Sequence, residues 1–313
     1  MPEHIHYPYP KGYCLNLSDR NKWWITGDES SIGYIDKFAA IMRLKECLSD
    51  NLPKLIFSRI IKDQMVNVDD PYSPEFKSSI TGTALKFHEL RFINIWSNNN
   101  LHDVVCEFIE NKNGREEFEK NKYLAMWASL KPVYLRSMRM GGLPFHAALV
   151  ECAGRGILLA AKGGGGKTTC SSRLPDQWKI LCDDENLVVL DENKVYRVHP
   201  FPTWNDYVMK RSENTWDVQY SVPFSGIFFI EQSESDEVIP LSVGQTSVQM
   251  TRSVTQVLGR LWNNLPREEQ KITMRDIFNN AFEMAKVVPA FRLRVSLDGR
   301  FWEEIEKVLG VVS

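Results

Sequence analysis

Gly156-Ile-Leu-Leu-Ala-Ala161, followed at once by Lys162-Gly163-Gly164-Gly165-Gly166-Lys167-Thr168-Thr169, is the stretch whose reading decides the fold. An apolar run that ends in a glycine loop and restarts as a helix is the strand–loop–helix unit used to bind phosphate. Consecutive glycines let the backbone take positive φ and approach a ligand closely. Their N–H groups can converge on an anion, and a following helix adds its positive end. Lys167 brings a mobile cation to the outer phosphates, and Thr168 offers a hydroxyl to Mg²⁺. The pattern is G-x-x-x-x-G-K-[ST] with Ala161 in place of the first glycine. The stretch predicts a nucleoside triphosphate site on Gly163, Gly164, Gly165, Gly166, Lys167, Thr168 and Thr169.

Upstream, Phe145-His146-Ala147-Ala148-Leu149-Val150 reads as a strand, and Cys152 to Gly156 as the turn that returns it to the loop strand. Downstream, Thr168 to Leu174 makes a short helix that Pro175 stops. Trp178 to Cys182 is the next apolar strand, and Asp183-Asp184 stand at its end. Leu187 to Leu190 and Val195 to Val198 read as two more strands. An acidic pair beside a triphosphate can split two duties. One carboxylate holds Mg²⁺ and the other accepts the proton of an incoming hydroxyl. A solvated acidic turn is the plain alternative, and proximity to Lys167 in the chain favours the functional one. His146, opening the strand next to the loop strand, is placed to orient an aspartate.

The remaining pattern is ordinary. The 313 residues are 43% hydrophobic and 25% charged with a net charge of -2, so neither a nucleic-acid footprint nor a polybasic membrane contact is expected. No run is apolar and long enough for a membrane span. The six cysteines form no C-x-x-C pair and read as free thiols, hence a cytoplasmic protein. In the N-terminal part, Tyr13 to Leu17, Trp23 to Ile25, Leu55 to Phe57 and Leu101 to Glu110 read as extended, and Leu85 to Trp96 as a strand pair. Phe38 to Leu48 and Tyr123 to Leu135 have helical spacing, the latter broken by Pro132. Pro71 and Ser73-Pro74 mark a loop, and His4 with His6 is a weak metal candidate at the terminus. The change of pattern at Gly141-Gly142 divides the chain into an accessory domain, 1–136, and a catalytic domain, 137–313. In the second, Ser225 to Ile230 and Phe291 to Val295 look like strands, and Val248 to Trp262 and Arg275 to Ala285 like helices.

His146-Ala147, Gly156 to Thr169 and Cys182-Asp183-Asp184 together resemble the HPr kinase/phosphorylase family, whose ATP-binding fold is shared with phosphoenolpyruvate carboxykinases. The family carries His-Gly at the first position and G-x-S-G-x-G-K-S in the loop. This chain departs from it at Ala147, Ala161 and Gly163, and the segment serving the family's phosphorolytic reaction is not found after the acidic pair. The likeness is closer to HPr-kinase-like proteins of peptide-modification clusters, the lasso-peptide precursor kinases and the SynChlorMet cassette C protein, which share the segment His199-Pro200-Phe201-Pro202-Thr203-Trp204. The prolines make that segment an extended loop.

The resemblance implies an α/β fold. A P-loop core of HPr kinase and PEP carboxykinase type, with a mixed β-sheet, follows a smaller α+β accessory domain. It implies ATP and Mg²⁺ as cofactors and a serine-type hydroxyl on a peptide or small protein as acceptor. Lys167 would contact the phosphates, Thr168 and Asp184 would hold the metal, Asp183 would be the base, and His146 would sit beside that base; the reverse division between Asp183 and Asp184 stays open. A homo-oligomer is compatible with it. A nucleotide-dependent binding module without phosphotransfer, and a small-molecule kinase, are the two other readings that the residues leave open.

Overall fold

The computed structural model describes residues 9, 11–48, 51–61, 86–90, 92–97, 100–110, 115–262 and 267–310. The loop expected around Pro71 and Ser73-Pro74, and the His4 and His6 pair, lie outside them. The chain divides into two mixed α/β units. One comprises residues 1–16, 22–132 and 204–215, the other 17–21, 133–203 and 216–313. The units are thus interleaved in sequence.

In the first unit, β1 (Gly12–Asn16), β2 (Lys22–Gly27), α1 (Ile32–Ile41), β3 (Lys45–Glu46), β4 (Lys54–Ile61), β5 (Lys86–Leu90), β6 (Ile93–Ser97), β7 (Asp103–Glu110) and α2 (Arg115–Ser129) follow in order. The sheet runs β3-β1-β2-β4-β7-β6-β5. Its central pairs β2·β4 and β4·β7 are parallel and the rest antiparallel. Trp23, Leu55, Phe57 and Val104 are fully buried, and α1 covers them with Tyr34 stacked on Phe108 at 4.3 Å. The helix begins and ends earlier than the apolar spacing from Phe38 to Leu48 predicts. Arg43 turns the chain at φ 51, and Lys45–Glu46 returns as an edge strand. That return brings Cys47 to Cys14, Cα to Cα 5.8 Å, in a disulfide. Two of the six cysteines read as free are therefore paired, because a β-bridge between positions distant in sequence carries no local signature. Cys106, Cys152, Cys170 and Cys182 are free and buried.

The second unit takes α3 (Lys131–Arg139), β8 (Leu143–Cys152), β9 (Arg155–Ala160), α4 (Lys167–Ser172), β10 (Lys179–Cys182), β11 (Glu185–Leu190) and β12 (Tyr196–Phe201). The short α5 (Trp204–Val208) belongs to the first unit. Then come β13 (Val222–Gln232), β14 (Glu237–Pro240), α6 (Val243–Trp262), α7 (Arg267–Ala285), β15 (Ala290–Val295) and α8 (Phe301–Leu309). Here too the sheet is mixed. β9·β13 and β13·β15 are parallel, and the other pairings are antiparallel. Pairing runs in a closed circuit, β8 to β9 to β13 to β12 to β11 and back to β8.

Two residues, Ala153 and Gly154, make the β8–β9 turn, both at positive φ. That geometry matches strand twist and explains so tight a hairpin. On one face of the sheet, Ala148, Val150, Ile157, Leu159, Phe228 and Leu293 bury against Cys170 of α4 and Phe301 and Ile305 of α8. Among the described residues no helix is long and apolar enough to cross a membrane.

Phe228 is completely buried and stacks on Phe291 at 4.8 Å. Phe228→Ala should therefore cost about 3–5 kcal/mol of stability, read as the shift of the urea unfolding curve against wild type.

Candidate functional site

The glycine loop is held at both ends by packing. Upstream, β9 lies between β8 and β13. Downstream, the Cys170 N–H donates to the Gly166 carbonyl at 2.8 Å, and its side chain enters the core. Within the loop, the Gly165 N–H donates to the Lys162 carbonyl at 2.8 Å. Gly164 and Gly166 stand at φ 74 and 93, a region that side chains strain to adopt. A Cβ on Gly165 would fall 2.8 Å from the Lys162 carbonyl oxygen, whereas one on Gly163 would meet nothing. The loop face is open: Gly163, Gly164, Thr168 and Thr169 are exposed, while Lys167 turns inward and is buried.

The acidic pair is placed by β8. After a register shift between Ile180 and Cys182, Cys182 pairs with Leu149 and Glu185 with His146, so one offset runs through the interval. Asp183 and Asp184 thus lie opposite Ala148 and Ala147, where the ladder bends between β10 and β11. The Ala147 N–H donates to the Asp184 carbonyl at 2.9 Å. The Ala147 carbonyl accepts instead from the side-chain amide of Asn186 at 3.0 Å. A side chain thereby supplies a backbone partner at the bend, as a buried carbonyl requires.

Three of the sequence-predicted residues meet in one polar chain. Lys167 Nζ is 2.7 Å from His146 Nε2, and His146 Nδ1 is 2.9 Å from Asp184 Oδ1. An ammonium only donates. With Lys167 as donor, His146 Nε2 is the acceptor and Nδ1 is the nitrogen that faces Asp184. Burial lowers the Lys167 pKa, against the pull of Asp184 first and Asp183 second. Ser253 of α6 donates its hydroxyl to the His146 carbonyl at 3.2 Å and ties that strand position to the helix behind it. The expectation joined His146 to the base and assigned that role to Asp183. The imidazole in fact lies on Asp184, so those two assignments separate.

Asp183 is held from the other flank. β12 pairs with β11 from Glu185·Phe201 to Leu190·Tyr196. The same offset, carried two residues further, sets Thr203 opposite Asp183, and the Thr203 hydroxyl donates to Asp183 Oδ1. Sequence reading treated His199 to Trp204 as a loop and did not single out Thr203. In the structure β12 runs through Phe201 and α5 starts at Trp204. Pro200 and Pro202 lack N–H groups, and β12 pairs with β13 only at Arg197 and Val198. The alternating prolines were the available signal, since they suit an extended strand whose outer side is unpaired. Below the acids, Tyr134 of α3 donates to Glu185 Oε2 at 3.2 Å and packs edge-on against Phe201 at 5.4 Å.

His146, Lys167 and Asp184 are thus joined, Asp183 is its neighbour in the bend between β10 and β11, and Thr168 and Thr169 follow Lys167 on the exposed side of α4. A cavity of about 530 Å³ in the first unit, lined by Tyr123, Tyr207, Lys210 and Arg211 among others, contains none of these residues. The family model described as SynChlorMet cassette protein ScmC matches residues 104–310, the larger part of the chain. No curated protein matches it.

The lowered Lys167 pKa has a measurable consequence. The unfolded chain, with lysine at its ordinary 10.5, holds that proton to higher pH than the folded one. Wild-type stability relative to Lys167→Met should therefore rise as pH goes from neutral toward 10.5, and be lowest where Lys167 is charged in both states. Urea unfolding of the two proteins across that range measures it, and a flat difference contradicts it.

Proposed function

The chain belongs to that family, and from this premise we propose that it is an ATP- and Mg²⁺-dependent kinase of HPr kinase-like type. It would transfer the γ-phosphate to a serine-type hydroxyl of a peptide or small protein. The observation that carries the reading is the chain Lys167–His146–Asp184 beneath an exposed glycine loop. A buried cation beside an open loop of backbone amides is a site for a polyanion. Two carboxylates in the same bend suit metal binding and proton removal. The acceptor class rests on the resemblance of the loop, the acidic pair and His199 to Trp204 to peptide-modification kinases. Its compartment would be the cytoplasm, where ATP is available.

The residues present fit both groups. Gly163 to Gly166 leave the loop face clear for phosphate oxygens, and Lys167 has two further N–H groups beyond the one given to His146. Among the described residues no three or more of His, Cys, Asp and Glu are placed to hold a metal by themselves. Magnesium asks for less, since it takes one or two protein oxygens and completes its shell with phosphate and water. Thr168 follows Lys167 in the chain, and Asp184, joined to it through His146, exerts the larger pull on Lys167 of the two acids. Bound Mg²⁺ would neutralise charge on the transferring phosphoryl group.

Asp183, one residue further from that chain, keeps the base role. Its free oxygen takes the proton of the acceptor hydroxyl as that oxygen bonds to the γ-phosphorus. The bond from phosphorus to the β-bridging oxygen breaks, and ADP leaves with the electron pair. As an ammonium, Lys167 would offset the charge that shifts onto the β-phosphate. His146 holds the Asp184 carboxylate and keeps it apart from Lys167.

The test is transfer from labelled ATP with Mg²⁺ to candidate peptides. Asp183→Asn should lower transfer by a factor of about 10²–10⁴ with ATP affinity kept, and Lys167→Ala should weaken ATP binding itself. Nucleotide binding without transfer to any acceptor, unchanged in Asp183→Asn, would sink the kinase reading in favour of a binding module.

A further inference from the structure

We propose that Thr203 is a positioning residue for Asp183: its hydroxyl occupies one carboxylate oxygen and leaves the other as the single site that accepts the acceptor's proton. The inference rests on the kinase reading and adds to it a residue outside the glycine loop and the acidic pair.

Three observations converge on it. The first is register. Glu185 pairs with Phe201, and the β11–β12 offset carried two residues on sets Thr203 across from Asp183. The ladder itself ends at Glu185 and Phe201, and the chain past its end keeps the two residues close enough for their side chains to bond. The second is the bond itself, from Thr203 Oγ1 to Asp183 Oδ1. The third is burial. Thr203 is only 5% exposed, and a buried hydroxyl without its partner is left unsatisfied. The bond is thus not readily exchanged for water.

The ends of the segment are anchored independently. Phe201 is fully buried against Tyr134. On the other side of Thr203, Trp204 opens α5. Pro202 restricts the only residue between Phe201 and Thr203. A threonine here has little freedom to leave Asp183. Being β-branched, it also has fewer rotamers to lose than serine would.

The two acids are consequently clasped from opposite strands. His146 of β8 holds Asp184, and Thr203 at the end of β12 holds Asp183. A carboxylate free to rotate presents either oxygen to an incoming hydroxyl. One with Oδ1 engaged presents Oδ2 in one direction, which is worth most in the transition state, where alignment matters.

Thr203→Val removes the hydroxyl at nearly constant shape, and Thr203→Ser keeps it. The measurements are transfer from labelled ATP with Mg²⁺, binding of a fluorescent ATP analogue, and the side-chain carboxyl ¹³C signal of Asp183, assigned with Asp183→Asn. Thr203→Val should lower kcat roughly tenfold to a hundredfold, with KM for ATP and analogue binding unchanged. Thr203→Ser should restore most of kcat. The Asp183 carboxyl signal should move in Thr203→Val and stay in place in Thr203→Ser.

Wild-type kcat in Thr203→Val, or an equal loss in both variants, overturns the proposal, because the hydroxyl would then not be what matters. A wild type that transfers to no acceptor overturns the kinase reading instead. In that case the carboxyl signal still decides whether Thr203 clasps Asp183: a signal unmoved in Thr203→Val overturns the clasp.

Discussion

The polar site depends on one piece of backbone: β8, whose hydrogen bonds are shared between the strand that feeds the glycine loop and the strand that carries the acids. On one edge β8 pairs with β9 from Ala147 to Cys152, and on the other with β10 and β11. The separation between Lys167 and Asp184 therefore follows from ladder spacing of about 4.8 Å per strand. Loop and acids are far more constrained than two surface turns would be. Small residues at Ala147 and Ala148 belong to this arrangement, since they are the positions set opposite the acids.

That constraint gives the burial of Lys167 its meaning. A lysine at 9% exposure loses hydration, and its lowered pKa shows that the nearby acids do not fully make this up. Evolution of a purely structural core would put an apolar side chain here, because buried charge is costly even when paired. The cost is understandable if a polyanion supplies the missing compensation on binding. His199 is a useful contrast within the same unit. It is fully buried, its pKa is pushed down to about 4, and it accepts from Ser18 while its Nδ1 faces the Val218 carbonyl. Its hydrogen-bonding groups are satisfied inside the fold, so it reads as architecture.

Much of this was legible in the chain. The strand–glycine–helix stretch, the hairpin before it and the apolar strand ending in Asp183-Asp184 are local patterns, and each forms where its periodicity says. The mixed α/β class followed from the same patterns. What stayed hidden was set by partners distant in sequence. The Cys14–Cys47 disulfide needs β3 to return beside β1, and Lys45–Glu46 is too short and polar to announce a strand. Helix α1 ends where Arg43 turns left-handed, although the apolar spacing continues past it. The passage from Pro200 to Thr203 looked like a loop because proline usually signals one. It is the end of a strand and its continuation, open on its outer side. Which acid His146 meets was hidden for the same reason: only the register offset distinguishes Asp184 from Asp183.

The imidazole between Lys167 and Asp184 is the feature that makes the site fit to receive a ligand. Had Lys167 met Asp184 directly, a bound anion would have to compete with a buried ion pair, and breaking such a pair costs about 3–5 kcal/mol. With the His146 ring between them, the two groups face each other across an imidazole, and Lys167 commits one N–H to its nitrogen. Beyond that contact Lys167 has two further N–H groups. The connection therefore exists before any ligand arrives: Lys167 meets His146 Nε2, and His146 Nδ1 meets Asp184.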